Sequence, residues 1–352
     1  MVCGMNWGYI PIGENYRYSL WNQSDEFIVD VLNTEMAMLR DMGVNAIRLF
    51  DDIPPRWVEY IYARYGIMTA INHLMGRYGF EVEGAFLANT DYGAPATRQA
   101  ILDDLQATIE TYTETRGVLM YLLGNENNYG LSWTSFEIES LPDAATDPRA
   151  EHLYTLMGEA ATLASTMDEN RPVALVNGDI NYLEVIARNC TDLDILGANV
   201  YRGASSGDLF ERVAREMGIP FMYTEFGADA YDARRETEDD VSQAGYLLAQ
   251  WKEIYQQSYG KGGTGASIGG FIFQWSDGWW KFRQEENLDV HDTNASWATG
   301  AYTHDFVDGA NNMNEEWWGI AAKNWPDATG FFTVTPRTAY HVLKEALRLD
   351  PY

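Results

Sequence analysis

The sequence predicts a single (β/α)8 barrel, in which eight parallel strands form a closed ring inside a layer of helices. Three observations carry this prediction. Short apolar runs alternate with amphipathic helices, eight such runs can be counted, and 352 residues suit one barrel. No linker, low-complexity tract or repeat interrupts the chain, so we expect one domain over residues 1–352. An open doubly wound sheet is the alternative, but GMNWGYIPIG lacks the glycine spacing of its phosphate-binding turn.

The first half of the chain supplies four predicted strands. VCGMNW is the first, VNAIRLF the second, residues 67–71 the third and residues 118–123 the fourth. A helix begins after Ser24 and ends at Gly43, because apolar residues recur at helical spacing between these two cap residues. A second amphipathic helix, TRQAILDDLQATIETYTETRG, leads into the fourth strand.

The second half repeats this alternation. A helix over 150–167 precedes the strand RPVALVNGD, and LDILGANVY follows as the sixth strand. Helix 207–217 leads to IPFMYTEFG, and helix 239–258 leads to IGGFIFQW. The segment 278–335 is rich in Trp, Asn and Asp without clear periodicity, which predicts a long loop over one barrel mouth after strand eight. PRTAYHVLKEALRL is the predicted closing helix.

Composition excludes several functions. With 24 Lys and Arg against 52 Asp and Glu, the net charge of -28 argues against a nucleic-acid partner, because phosphate binding needs a basic surface. No apolar run reaches the roughly 18 to 20 residues of a membrane span, so we expect a soluble chain. It opens without a signal-peptide pattern, and a removed signal would leave no trace. Localisation and oligomeric state stay open.

The sequence predicts no cofactor and no metal. Its two cysteines are far from the histidines in sequence and too few for a disulfide framework. Asp289, Asp292 and Asp305 form an acidic group within the long loop, but they lack a regular calcium-ligand spacing.

Polar residues follow the apolar runs, and barrel active sites form at these carboxyl-terminal strand ends. In chain order the runs end at Asn6-Trp7, Arg48, Asn72-His73, Asn125-Glu126, Asn177 with Asp179, Asn199 with Tyr201, Glu225, and Gln274-Trp275. This set contains two glutamates among amides and no metal, phosphate-binding or Ser/Cys nucleophile pattern.

Two carboxylates across a barrel mouth are what glycoside hydrolysis requires. One is kept protonated and gives its proton to the leaving oxygen, while the other attacks the sugar or activates water. Retaining enzymes need a separation of about 5 to 5.5 Å, which strands four and seven of a barrel can span. Either glutamate alone could instead be a helix cap or an ion-pair partner. Their occurrence together, after strands four and seven, favours catalysis.

The motifs GNEN after strand four and TEFG after strand seven, with AIRLF, NVYRG and FIFQWSDGWW, resemble those of clan A retaining glycoside hydrolases. The chain is most similar to the catalytic barrels of the family 2 beta-galactosidase and beta-glucuronidase group, and its layout resembles clan A beta-1,3-glucanases and beta-1,3-glucanosyltransferases. The resemblance covers essentially the whole chain. It implies a retaining beta-glycosidase whose partner is a poly- or oligosaccharide, with beta-1,3-glucan as the first substrate hypothesis.

The resemblance also implies roles for individual positions. Glu126 becomes the acid/base and Glu225 the nucleophile. Asn125 would hold the sugar 2-hydroxyl, while Arg48 and Tyr201 would contact Glu225 and keep it ionised and aimed. Trp275 would be the floor on which the scissile sugar stacks, and the further candidates for substrate binding are Trp7, His73, Asn199, Trp279 and Trp280. Trp297, Trp317 and Trp318 are either further sugar subsites or packing within the loop.

Three alternatives stay open at this point. A transglycosylase would share both glutamates. An exo-acting enzyme of the beta-galactosidase or beta-mannosidase type would have a closed pocket, although the beta-sandwich domains usual before family 2 barrels have no counterpart in this sequence. A carbohydrate-binding barrel without turnover would belong to another functional class, and the complete set of strand-end residues argues against it.

Overall fold

The computed structural model describes residues 1–131, 148–281 and 284–349. Within these ranges eight strands pair in parallel, each with the next along the chain, and the eighth pairs with the first, which closes the barrel. This confirms the predicted (β/α)8 fold. The strands are β1 (Val2–Asn6), β2 (Ala46–Arg48), β3 (Met68–His73), β4 (Val118–Leu123), β5 (Val173–Gly178), β6 (Ile195–Asn199), β7 (Phe221–Phe226) and β8 (Ser267–Ile272).

The α-helices of the described residues are α1 (Asp25–Met42), α2 (Pro55–Tyr65), α3 (Pro95–Tyr112), α4 (Pro148–Met167), α5 (Leu183–Asn189), α6 (Leu209–Glu216), α7 (Asp240–Gln256) and α8 (Thr338–Ala346). The predicted caps of α1 are present: Ser24 accepts the amide of Phe27, and Gly43 ends the helix at a φ of 100°. The sequence did not predict α2 and α5. They are 11 and 7 residues long.

Side chains alternate between two apolar layers along each strand, because successive residues of a strand point to opposite faces. One layer fills the barrel interior and includes Ala46, Ala70 and Met120. The other packs between barrel and helices and includes Ile47 and Ile71. The residue that ends a strand on the interior face therefore points into the barrel mouth, and its neighbour points towards the helices.

The described part of the segment after β8 is mostly irregular. It contains a short 3-10 turn over Glu315–Trp317 and a two-stranded antiparallel sheet, Ala321–Lys323 with Val334–Pro336. Another small hairpin, Phe80–Val82 with Ala85–Leu87, lies between β3 and α3. None of the helices that the structure describes is long and apolar enough to cross a membrane.

Candidate active site

Arg48 is the centre of a hydrogen-bond network at the carboxyl-terminal ends of the strands. It ends β2 on the interior face and is fully buried. Its Nη1 pairs with Glu225 Oε1 at 2.8 Å, and its Nη2 donates to Asn125 Oδ1 at 2.9 Å. Its Nε donates to Asn72 Oδ1 at 2.7 Å, and Nη1 also reaches Asn6 Oδ1 at 3.3 Å. Four side chains, which lie at or just beyond the ends of β1, β3, β4 and β7, are thus held around one guanidinium.

Glu225 is contacted at both carboxylate oxygens. Arg48 holds Oε1, and the hydroxyl of Tyr201 donates to Oε2 at 2.7 Å. The Tyr201 ring is itself held edge-on by the buried Trp318 and Trp297, with ring centroids 4.9 and 6.4 Å away. Burial, followed by the charge of Glu225, raises the pKa of Tyr201 well above its ordinary value, so its hydroxyl stays a donor. Glu225 is therefore fixed in direction.

Glu126 lies in a different environment although it belongs to the same network. Its side chain is partly exposed, and its backbone has a φ of 56°, uncommon for a residue other than glycine. Asn199 Nδ2 donates to its Oε1 at 3.0 Å. Burial and then the charge of Glu225 raise the pKa of Glu126 to about 7, while Arg77 acts in the opposite direction. A large fraction of Glu126 is therefore protonated at neutral pH.

Asn125 connects the two glutamates. Its Oδ1 accepts from Arg48 Nη2 and from Asn199 Nδ2, at 2.9 and 3.1 Å. Two donors at this oxygen fix the amide, so its Nδ2 points the other way and donates to the Tyr78 hydroxyl at 2.9 Å. Asn199 is fixed in turn because its Oδ1 accepts from Thr224 Oγ1 at 2.8 Å.

This arrangement can transfer a proton and present a nucleophile at one place. The raised pKa of Glu126 favours its protonated form near neutral pH, and two donors orient the side chain of Glu225. Pairs of titratable groups in contrasting environments are typical of acid/base sites. Among the described residues no group of three or more His, Cys, Asp or Glu side chains could hold a metal ion.

The structure corrects the sugar-binding hypotheses for Trp7 and His73. Asn6 and Asn72 occupy the interior face at the ends of β1 and β3, so the next residue of each pair points outward. Trp7 is 2% exposed and donates its indole N–H to Glu35 of α1 at 2.6 Å. His73 is buried, and its Nε2 lies 2.9 Å from Asp104 Oδ2 of α3. Both side chains are structural contacts between barrel and helices.

Trp275 is also not the sugar-stacking floor that the resemblance implied. It is fully buried, and its ring lies 6.2 Å from that of Tyr340 in α8. β8 ends at Ile272, and the chain then bends so that the Trp275 amide bonds the carbonyl of Asn6. Phe273 is the partly exposed aromatic residue beyond β8, with its ring 6.5 Å from that of Tyr201.

The tryptophans of the long loop pack mainly with one another and with the barrel. Trp279 stacks on His291 at 4.5 Å, and His291 stacks on Trp317 at 3.9 Å. Trp280 is partly exposed, with its ring 6.2 Å from that of Tyr16. Trp297 and Trp318 contact the ring of Tyr201. Packing thus accounts for most of these rings.

Four residues that the structure brings into the site were not predicted to have a role there. Asn6 and Asn72 stand at strand ends, and a period-two reading of each strand would have identified their side of the sheet. Tyr78 and Asn127 carried no such signal, because Tyr78 lies in a turn remote in sequence from Asn125. Asn127 follows Glu126, and its Oδ1 accepts the backbone amide of Asn125 at 2.7 Å.

Comparisons with known proteins support the fold. No protein-family model matches the sequence. The chain is 24% identical over 187 residues to human Gamma-tubulin complex component 3, which is 51% of this chain and 20% of that protein. Identity this low over a fifth of that protein assigns no family.

Solved structures with the same barrel include glycoside hydrolases. A GH2 beta-galacturonidase from Eisenbergiella tayi, bound to galacturonate, superposes with a TM-score of 0.55 at 16% identity over 92% of this chain and 48% of that one. Bacteroides uniformis beta-glucuronidase 2 superposes with a TM-score of 0.58 at 14% identity, over 91% of this chain and 33% of that one. Parabacteroides merdae beta-glucuronidase superposes with a TM-score of 0.56 at 16% identity, over 99% of this chain and 37% of that one. The chain thus spans from a third to about half of these proteins' length.

Proposed function

We propose that the chain carries the catalytic barrel of a retaining beta-glycosidase, with Glu225 as nucleophile and Glu126 as acid/base. One observation carries the proposal. A buried glutamate held at both oxygens by Arg48 and Tyr201 lies close to a second glutamate, and its charge helps to raise that residue's pKa to about 7. The likeness in fold to GH2 glycosidases supports it.

In the first step Glu225 attacks the anomeric carbon and forms an ester bond to the sugar. The bond to the leaving oxygen breaks, and Glu126 gives that oxygen its proton. In the second step Glu126 takes a proton from a water molecule that attacks the same carbon, and Glu225 leaves as a carboxylate. The ester removes the charge of Glu225, one cause of the raised pKa of Glu126, so Glu126 becomes the stronger acid in the intermediate and can act as a base.

Asn125 supports both steps by holding the sugar 2-hydroxyl, whose hydrogen bonds strengthen in the oxocarbenium-like transition state. Its amide is already oriented by Arg48 and Asn199 before substrate binds. Such preorganisation lowers the cost of reaching the transition state. A barrel that only binds carbohydrate has no need for an acid with a raised pKa beside an ion-paired carboxylate.

For the substrate, a beta-linked glucan with beta-1,3 linkage is the first hypothesis, and its support is the resemblance in barrel layout. The similar structures are of galacturonidases and glucuronidases, so acidic sugars belong in the same assay. A panel of beta-1,3- and beta-1,4-glucan, mannan and galactan, with aryl beta-glucuronides and galacturonides, separates these substrates. Intact beta-1,3-glucan beside cleavage of another member would reject the linkage hypothesis. Longer products from oligosaccharides would indicate transglycosylation.

The stereochemical outcome tests the reaction itself. Proton NMR during cleavage of a beta-glycoside should show the beta-anomer of the released sugar first, followed by slow mutarotation. Glu225→Gln should abolish the signal at equal protein concentration. First appearance of the alpha-anomer would contradict the double displacement.

A further inference from the structure

We propose that Phe50 is a stacking platform for a second sugar, on the side of the cleaved bond that stays attached to the enzyme. This inference rests on the proposed glycosidase function and deepens it, because a second sugar on that side implies cleavage of chains rather than removal of a terminal unit. Three observations carry it: the contact of Phe50 with Arg48, the anchoring of its segment and the side of the mouth on which it lies.

Phe50 stands against the guanidinium at the centre of the network. It follows Arg48, the last residue of β2, by two positions. The Cζ of Arg48 lies over the Phe50 ring, 4.6 Å from the ring centroid. Arg48 is fully buried, whereas 39% of Phe50 is exposed. One side of the ring therefore meets the guanidinium, and another side meets solvent at the barrel mouth.

The segment that carries Phe50 is fixed on both sides. Leu49 and Ile53 are buried, and the Ile53 carbonyl accepts the hydroxyl of Tyr112 of α3 at 2.6 Å. The three residues between them, Phe50 and two aspartates, are exposed. A ring on a fixed segment loses little freedom when a ligand binds, and the aspartates add oxygens that accept hydrogen bonds from sugar hydroxyls.

The contact with Arg48 indicates which sugar the ring would meet. A single exposed apolar residue is common and by itself identifies no site. Phe50, however, contacts the group that holds Glu225 and Asn125. Its ring stands between that group and a sugar stacked on its outer side, whereas the sugar that Glu225 attacks must touch the carboxylate directly. An aromatic face that buries apolar C–H surface here would therefore serve the neighbouring sugar.

The acid marks the side on which the leaving group lies. Under the proposed function Glu126 protonates the leaving oxygen, and Glu126 accepts a hydrogen bond from Asn199 at the end of β6. β6 and β2 lie opposite each other in the closed ring of eight strands. Phe50, which follows β2, thus lies across the mouth from the leaving group, on the side of the sugar that forms the ester with Glu225.

Substrates of one and two sugars with the same leaving group test the platform. The probes are 4-nitrophenyl beta-glycosides of glucose, mannose, galactose and glucuronic acid, beside those of laminaribiose, cellobiose, mannobiose and galactobiose, and release of 4-nitrophenol is measured. The wild-type protein should use a disaccharide better than its monosaccharide. Phe50→Leu should lower the ratio of kcat/KM between these two substrates about tenfold, as expected for the loss of one aromatic contact. Phe50→Tyr keeps the ring and should keep most of the ratio.

Tyr259→Leu is the matched control. Tyr259 is 78% exposed and lies between α7 and β8, at the amino-terminal ends of the strands and away from the mouth. The variant loses an exposed ring in the same way, and it should keep the wild-type ratio. Because each ratio compares two substrates of one protein, a loss of folded protein cancels.

Three outcomes would overturn the inference. An unchanged ratio in Phe50→Leu, with both rates lowered alike, would make Phe50 only a cover for Arg48. A wild-type protein that gains nothing from a second sugar, or that releases the terminal sugar before 4-nitrophenol, would have no site for it. Both results leave the glycosidase proposal intact, whereas absence of turnover of every glycoside would remove the function on which the inference rests.

Discussion

Glu126 and Glu35 both have a pKa raised to about 7, yet their surroundings differ. Glu126 lies at the barrel mouth, partly exposed, and the carboxylate of Glu225 is the second cause of its shift. Glu35 lies on α1, 1% exposed, and burial raises its pKa while the indole of Trp7 and the ammonium of Lys323 oppose this shift. A raised pKa alone therefore does not identify a catalytic acid. Under the proposed function, the position of Glu126 at the barrel mouth and its second carboxylate neighbour, Glu225, distinguish it from Glu35.

Loss of the proposed nucleophile, Glu225, should be the largest effect. Glu225→Gln should lower kcat/KM on the order of 10^4-fold or more, because it removes the group that forms the ester. Glu35→Gln is the matched control, since it makes the same change in a buried glutamate away from the barrel mouth, and it should stay within a few-fold of wild type. Initial rates on an aryl beta-glycoside give kcat/KM for both variants. Comparable losses in the two variants would erase the distinction between the two regions.

The alkaline limb of the pH profile should belong to Glu126. The first step needs the protonated acid, and the ionised fraction rises as pH rises through about 7, so kcat/KM should fall above this pH. Glu126→Gln should abolish this limb and lower the rate roughly 10^2- to 10^4-fold on a poor leaving group. Glu35→Gln should keep the limb. If it loses the limb instead, the assignment of the acid is wrong.

Glu35 should affect the stability of the fold, whereas the proposed role of Glu126 is in catalysis. Its pKa is about 4.5 in the unfolded chain and about 7 in the folded protein, so ionisation is penalised only in the folded state. The free energy of unfolding should therefore fall as pH rises from about 4.5 to 7, by on the order of 3 kcal/mol. In the Glu35→Gln variant, the free energy of unfolding should lack this decrease. Urea titrations between pH 5 and 7 measure it for both proteins. Equal slopes for both proteins would contradict it.

The smallest predicted effect concerns Asn199. Its hydrogen bond to Glu126 favours the ionised form and lowers the pKa, so Asn199→Ala should move the alkaline limb upward by about one pH unit. Thr224→Val is the control, because it removes the hydroxyl that orients Asn199 and leaves the amide in place. The alkaline limb of the Thr224→Val variant should move less than that of Asn199→Ala. A downward shift for Asn199→Ala would reject the role of this contact.

The sequence predicted the fold and the positions of both glutamates because these depend on local pattern. Eight apolar runs with helices between them are enough for a barrel, and polar residues after strands four and seven mark its mouth. Trp7 and His73 were misplaced for a specific reason. Each follows an asparagine, and only the period-two alternation along the whole strand, not its last two residues, indicates which of the two neighbours faces inward.

The remaining part of the site depends on contacts between segments distant in sequence. Tyr78 reaches Asn125 across 47 residues, and Trp318 supports Tyr201 from the long loop. Trp275 was misplaced because the chain bends after β8, which moves its ring out of the mouth and against α8. Such contacts follow from the closed barrel and cannot be derived from spacing alone.

Trapping the glycosyl-enzyme tests the central claim most directly. A 2,4-dinitrophenyl 2-deoxy-2-fluoro-beta-glycoside of the sugar that the enzyme hydrolyses should inactivate it, because the fluorine removes the 2-hydroxyl interactions that assist release. Peptide mass analysis should place the label on the peptide that contains Glu225. A label on a different carboxylate, or none on an enzyme that hydrolyses the parent glycoside, would contradict the double displacement through Glu225.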